Sequence, residues 1–280
     1  MKIQFTKMQG LGNDYIYINC FTQEICNPEK LAIRLSDRHF GIGSDGLILI
    51  MPSKTSDCRM RMFNADGSES PMCGNGVRCV GKYVYDNNIA KKEIINVETL
   101  SGIKTLKMFH KDGVAFAAEV NMGAPVFEAS KIPVVTKEEE LVNSEFVIEG
   151  KTYIVTCISM GNPHCVVFTN DVDNIDLAKI GPLFENDYRF PERVNTEFVE
   201  ILSPDTLKMR VWERGSGETL ACGTGACTCA VAAVLNETAK RGENITVQLK
   251  GGELVIRWDN DGNVYMKGPA ETVFDGQVNI

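Results

Sequence analysis

Histidine is scarce in this chain, with only His39, His110 and His164 among 280 residues, and no two cysteines form a Cys-x-x-Cys pair. The usual zinc sets draw on closely spaced cysteine and imidazole, so zinc is rejected and no metal is expected. No run of about 18 apolar residues occurs, which leaves no membrane-spanning helix. The opening Met1-Lys2-Ile3-Gln4-Phe5-Thr6-Lys7 holds no apolar stretch of secretory-signal length. A basic stripe is missing as well. The net charge of -8 and the pI near 5.1 argue against a nucleic-acid surface. Nor is there a Pro/Ser-rich linker to suggest disorder. Ten cysteines are too dilute for a disulfide scaffold, and a reducing cytosol keeps them as thiols. These absences leave a cytoplasmic globular protein whose partner is a small molecule, with neither nucleic acid nor membrane.

What the chain does contain is a repeat. Cys73-Gly74-Asn75-Gly76 and Cys222-Gly223-Thr224-Gly225 lie 149 residues apart, and their surroundings keep that offset. Ten residues before each cysteine stands an aromatic, Phe63 or Trp212, preceded by Met60-Arg61 or Met209-Arg210. Four residues before each stands Glu69 or Glu218, and Gly12-Asn13 matches Gly161-Asn162. A length of 280 residues suits two domains of roughly 100 to 150 each. The expected boundaries are 1–122 and 123–267, with a C-terminal strand over 268–280 joining the first repeat.

Short β-branched or alternating runs predict strands at 3–8, 14–20, 47–51, 59–63, 93–98, 103–109 and 114–120. The second half repeats them at 145–148, 153–159, 165–169, 196–202, 207–212, 245–250, 253–258 and 264–267. Three helices are expected. One runs from Pro28 to Arg38 with Asn27 as its cap, and one follows each Cys-Gly-x-Gly. From Ala226 to Leu235 there is almost no polar face, so that helix must be surrounded. The prediction is an α+β fold of two pseudo-symmetric domains, each a curled, mainly antiparallel sheet around a central helix. A doubly wound parallel sheet would need more helices than the chain supplies.

Both cysteines fall at helix N-termini, where unpaired N–H groups favour a thiolate and an anion. The N–H groups of Gly74, Asn75, Gly223 and Thr224 offer a cradle for a carboxylate. Two facing thiols would serve as base and acid on opposite faces of an amino-acid α-carbon, whose carbanion the helix ends stabilise through the carboxylate. A single glycine-rich turn of this kind more often binds phosphate; the duplication is what lifts it. Cys20, Cys58, Cys79, Cys157, Cys165, Cys227 and Cys229 are expected as buried filler.

Gly10-Leu11-Gly12-Asn13-Asp14, Phe63-Asn64-Ala65-Asp66-Gly67-Ser68-Glu69, Met72 to Cys79, Gly161-Asn162-Pro163-His164, Glu213-Arg214-Gly215 and Ala221 to Gly225 together resemble the motif series of the diaminopimelate epimerase family, nearly end to end. The resemblance implies a pyridoxal-phosphate-independent isomerase without a cofactor. It would interconvert LL- and meso-diaminopimelate on the route to lysine and cell-wall peptide, with Cys73 and Cys222 as the bases. It further implies substrate contacts at Asn13, Asn64, Asn162, Asn195, Glu213 and Arg214, auxiliary roles for His164 and Glu213, and a homodimer. Gly46 departs from the pattern, standing where some members carry glutamine. Three alternatives stay open: a proline or hydroxyproline racemase, which Asn75 disfavours because histidine typically follows Cys-Gly there; a non-catalytic amino-acid-binding protein; and a thiol–disulfide enzyme, which lacks adjacent paired cysteines.

Overall fold

The computed structural model describes residues 2–280. In chain order these residues form β1 (Lys2–Gly10), β2 (Asn13–Asn19), α1 (Pro28–Ser36), β3 (Gly46–Met51), β4 (Cys58–Asn64), β5 (Glu69–Ser70), α2 (Gly74–Asp86), β6 (Ile94–Thr99), β7 (Gly102–Lys111) and β8 (Val114–Gly123). There follow β9 (Ser144–Ile148), β10 (Lys151–Ser159), β11 (Pro163–Phe168), α3 (Leu177–Glu185), β12 (Asn195–Ser203), β13 (Thr206–Glu213), β14 (Gly217–Glu218), α4 (Gly223–Leu235), β15 (Ile245–Leu249), β16 (Gly252–Trp258), β17 (Val264–Pro269) and β18 (Glu271–Asn279). The chain divides into two compact units, one running to Asn121 and including Lys267–Ile280, the other Met122–Met266.

Within the first unit the strands lie in the order β18, β1, β2, β3, β4, β6, β7, β8. The β2–β3 and β4–β6 pairs are parallel and the remainder antiparallel. Within the second unit the order is β9, β10, β11, β12, β13, β15, β16, and the parallel pairs β11–β12 and β13–β15 fall at the same places. The offset of 149 carries α1 onto α3 and α2 onto α4 without a residue of slip. It also carries the Tyr15↔Gly46 register pair onto His164↔Asn195. The fold is α+β and dominated by antiparallel sheet.

Each unit wraps its sheet around one helix. α2 packs on β1, β2, β4, β6, β7 and β18, and α4 packs on β10, β11, β12, β13, β15 and β16. Residues Ala226 to Ala233 are buried without interruption, and their small side chains let strands approach from every direction. In α2 even Arg78 and Lys82 are buried. Lys82 reaches out to the Asp86 carboxylate and the Ala115 carbonyl.

Several expectations need correction. α1 ends at Ser36, not Arg38, because Asp37 turns extended and its carboxylate accepts the His39 and Phe40 N–H groups. Asn27 stands at the cap position but makes no side-chain bond there. A fourth helix, α3, was unforeseen: Gly181-Pro182 reads as a break, and Pro182 does remove an internal N–H. Gly181 is needed nonetheless, since a Cβ there would come within 2.3 Å of the Trp212 indole packed on it. The two-residue strands β5 and β14 are too short to leave a periodic signal. Cys20 is only half-buried, in contrast to the other cysteines expected as filler.

Candidate active site

In both units a two-residue strand leads into the cysteine, and an arginine fork pins it. Arg61 donates from Nε and Nη2 to Glu69 at 2.7 and 2.9 Å. Arg210 does the same to Glu218 at 2.8 and 3.2 Å. The matched arginines and glutamates thus fix the approach to the helix, a bidentate geometry that holds direction as well as distance.

Cys73 and Cys222 are the N-cap residues of α2 and α4, both extended in backbone. Their sulfurs accept the N–H groups of Gly76 at 3.4 Å and Gly225 at 3.3 Å. Each cysteine carbonyl takes the next amide, Val77 or Ala226. The amides of Gly74 and Asn75, and of Gly223 and Thr224, lie ahead of these at the helix start.

Around Cys73 the groups are polar and linked. Its thiol donates to Asn13 Oδ1 at 3.3 Å, and Asn13 Nδ2 donates to Asp45 at 2.8 Å. Arg38 bridges Asp45 and Asp14 at 2.9 and 2.8 Å, while Lys7 also reaches Asp14. Burial pushes the Asp14 carboxyl up, but the Arg38 and Lys7 cations outweigh it and hold the group below its ordinary value. Asn64 donates to Ser68. Asn75 is buried and accepts from Arg78 at 2.9 Å. Asp45 was not among the expected site residues, although it sits beside the departing Gly46. That glycine is obligatory, because a Cβ would lie 2.1 Å from the Phe63 carbonyl oxygen.

Around Cys222 the environment differs. Its sulfur lies 3.5 Å from Thr224 Oγ1, which also accepts from Asn162 Nδ2 at 3.3 Å. His164 bonds Asn162 Oδ1 through Nε2 at 3.1 Å and Glu197 through Nδ1 at 2.7 Å. Thr219 donates to Glu213. Burial first, then the Glu213 and Glu197 charges, push the Cys222 thiol well above its ordinary value, against the lowering by Thr224 and the Gly225 N–H. The expectation of an acidified thiol at this helix end is therefore corrected. Low dielectric and two carboxylates outweigh the helix terminus. Asn195 is buried and accepts the Arg214 backbone N–H at 2.9 Å, and the Arg214 guanidinium donates to the Glu192 carbonyl at 2.9 Å.

The diaminopimelate epimerase family model matches residues 5–128 and 156–273. The chain belongs to the diaminopimelate epimerase family. It is 55% identical to the diaminopimelate epimerase of Acetivibrio thermocellus over 279 residues, covering 99% of both chains. Identity to the Desulfovibrio desulfuricans enzyme of that name is 54%, again over 99% of both. With the one from Methanococcus maripaludis it is 51%, over 99% of this chain and all of the other. Among solved structures, a probable proline racemase from Agrobacterium radiobacter superposes with a TM-score of 0.73 at 13% identity, covering 99% of this chain and 93% of that one. A phenazine-biosynthesis protein from Bacillus anthracis gives 0.70 at 16%, over the whole of both. At those identities the likeness is one of fold.

Sequence reading missed Glu197, a fully buried carboxylate. The ligand atoms of His164, Glu197 and Cys222 lie within 4.8 Å of one another, the one group of metal-ligand type among the described residues. Both His164 nitrogens are already hydrogen-bonded, so the trio is a hydrogen-bonded cluster beside a thiol. A separate cavity of about 760 Å³, lined by residues such as Asp173, Lys208, Gln248 and Lys250, contains none of the site residues.

Proposed function

We propose that the chain is a diaminopimelate epimerase that interconverts the LL and meso forms with Cys73 and Cys222 as the two bases. The observation that carries this reading is the equivalent placement of two thiols. Each caps a helix of the same length and shares its glycine N–H pattern across an offset of 149 residues. In the proposed step one sulfur, as thiolate, takes the α-proton and the other, as thiol, delivers its proton to the opposite face. The carbanion is stabilised through the substrate carboxylate by helix-end N–H groups. One proton leaves and one arrives, so no redox partner or cofactor enters.

Asn13, Asn64, Asn162, Asn195, Glu213 and Arg214 are proposed to recognise the distal amino and carboxylate groups, with Arg214 as the carboxylate fork. His164 and Glu213 are proposed to hold the second thiol in position. Among the described residues no helix is long and apolar enough to cross a membrane, and a cytoplasmic homodimer is part of the proposal. The proline racemase alternative rests on fold likeness alone, at 13% identity.

Incubation with LL-diaminopimelate in deuterated water tests the reading. Exchange at the α-carbon is expected, and a binding protein would give none. Cys73→Ala and Cys222→Ala are each expected to lower epimerisation by about 10³-fold or more while leaving the circular dichroism unchanged. Full activity in either variant would remove the two-base mechanism.

A further inference from the structure

The two units repeat one architecture, yet the residues beside their thiols are not repeated. Ile48 and Glu197 occupy matching positions 149 residues apart, as do Tyr15 and His164. Their placement is the same in each unit. A Cβ added to Gly76 would meet Ile48 Cδ1 at 2.8 Å, and one added to Gly225 would meet Glu197 Oε1 at 2.6 Å, with the Cys222 sulfur 3.2 Å away. Where the first half puts an aliphatic side chain against the capped turn, the second puts a carboxylate that is 0% exposed.

A buried carboxylate persists only when something compensates it. Here the partner is His164, also fully buried, at 2.7 Å. The other ring nitrogen faces the oxygen of Asn162, whose amide nitrogen is committed to Thr224. Both ring nitrogens of His164 are thus engaged, one by Glu197 and the other by Asn162. The second carboxylate oxygen, Glu197 Oε2, is buried without a hydrogen-bond partner among the described residues. Leaving such an oxygen bare is costly, which marks the residue as kept for something other than packing.

We infer that Glu197 is a positioning residue for the second thiol: by its bond to His164 it fixes the ring beside Cys222, and it makes the surroundings of that thiol unlike those of Cys73. The inference rests on the reading of Cys222 as a reacting group. The titratable groups turned toward Cys222 are Glu213 from β13, Glu197 from β12, His164 from β11, and Cys229 from α4 itself. Of the two carboxylates, Glu213 has its counterpart in Asn64 of the first half and Glu197 in Ile48, so neither matched position is acidic there. The two thiols therefore sit in unlike surroundings, with a carboxylate against the capped turn at Cys222 and Ile48 at the matching place beside Cys73.

The test uses the full chain carrying Glu197→Gln, which keeps size and hydrogen bonding while removing the charge. Alkylation of Cys222 and Cys73 by iodoacetamide is followed separately, by peptide mass spectrometry, across pH. The half-reaction pH of Cys222 is expected to fall by roughly one unit, equivalent to about tenfold faster alkylation at fixed pH, while Cys73 keeps its profile. The basic limb of kcat/KM should move down with it. His164→Gln, which strips the carboxylate of its partner, should move the Cys222 profile the opposite way and guards against a merely structural loss. An unchanged Cys222 profile in Glu197→Gln, or an equal shift at Cys73, overturns the inference. Should the wild type show the thiol asymmetry but no α-exchange, the functional reading falls and the placement of Glu197 stands.

Discussion

Gly46 shows how strongly one residue is fixed by its neighbours. Its missing side chain lets β3 run against β4 with the Phe63 carbonyl where a Cβ would stand. Gly46→Gln is expected to cost about 1–3 kcal/mol in urea unfolding, since backbone cannot swing aside as a side chain can; an unaltered midpoint would show that β4 yields. Much of this site was readable beforehand at the residue scale. Cys73, Cys222 and the glycines after them announce themselves by repetition, and Asn13 and Asn162 by the same offset. Asp45 did not, lying in a bend outside any repeat, and neither did Glu197, because a carboxylate in a strand reads as solvent-facing until the fold closes over it. Likewise the thiol field was misjudged for Cys222: the helix end is local and visible in sequence, whereas the opposing carboxylates come from β12 and β13.

At the scale of elements, α4 is the clearest case of sequence dictating environment. A helix with alanine at 226, 230, 232 and 233 and no polar face has no solvent-compatible surface, and every one of those alanines is fully buried. Ala230→Leu should therefore overpack the unit and destabilise it by about 1–3 kcal/mol, measurable by denaturant midpoint. A gain in stability would reveal unfilled space around the helix. α3 is the converse. Its Gly181-Pro182 pair opposes a helix locally, yet the helix forms, capped by Asp176, and Gly181 gives the Trp212 ring a side-chain-free surface to lie on. That contact joins residues far apart in the chain, so no window of local pattern contains it.

For the molecule as a whole, buried thiols couple stability to alkaline pH. Burial pushes Cys58 up to about 12 and Cys79 up to about 11, from an ordinary 9.0, and raises Cys222 as well. Below 9.0 each thiol is protonated folded or unfolded and contributes no pH dependence. Above that value the unfolded chain loses protons that the folded chain retains, so the unfolding free energy falls by about 1.4 kcal/mol per pH unit for each such thiol, until its folded value is reached. Thermal midpoints should drop steeply between pH 9 and 11, and a flat profile there would contradict the burial of Cys58 and Cys79. Sequence by itself determined the duplication, the strand-rich α+β class, the buried α4 helix and the paired cysteines, because repeats, short alternating runs and an all-apolar helix are properties of neighbouring residues. Only the tertiary structure decided that Glu197 faces His164 beside one thiol while Ile48 stands at the other's matching place. Charge and dielectric at a buried atom are summed over strands that meet only after folding.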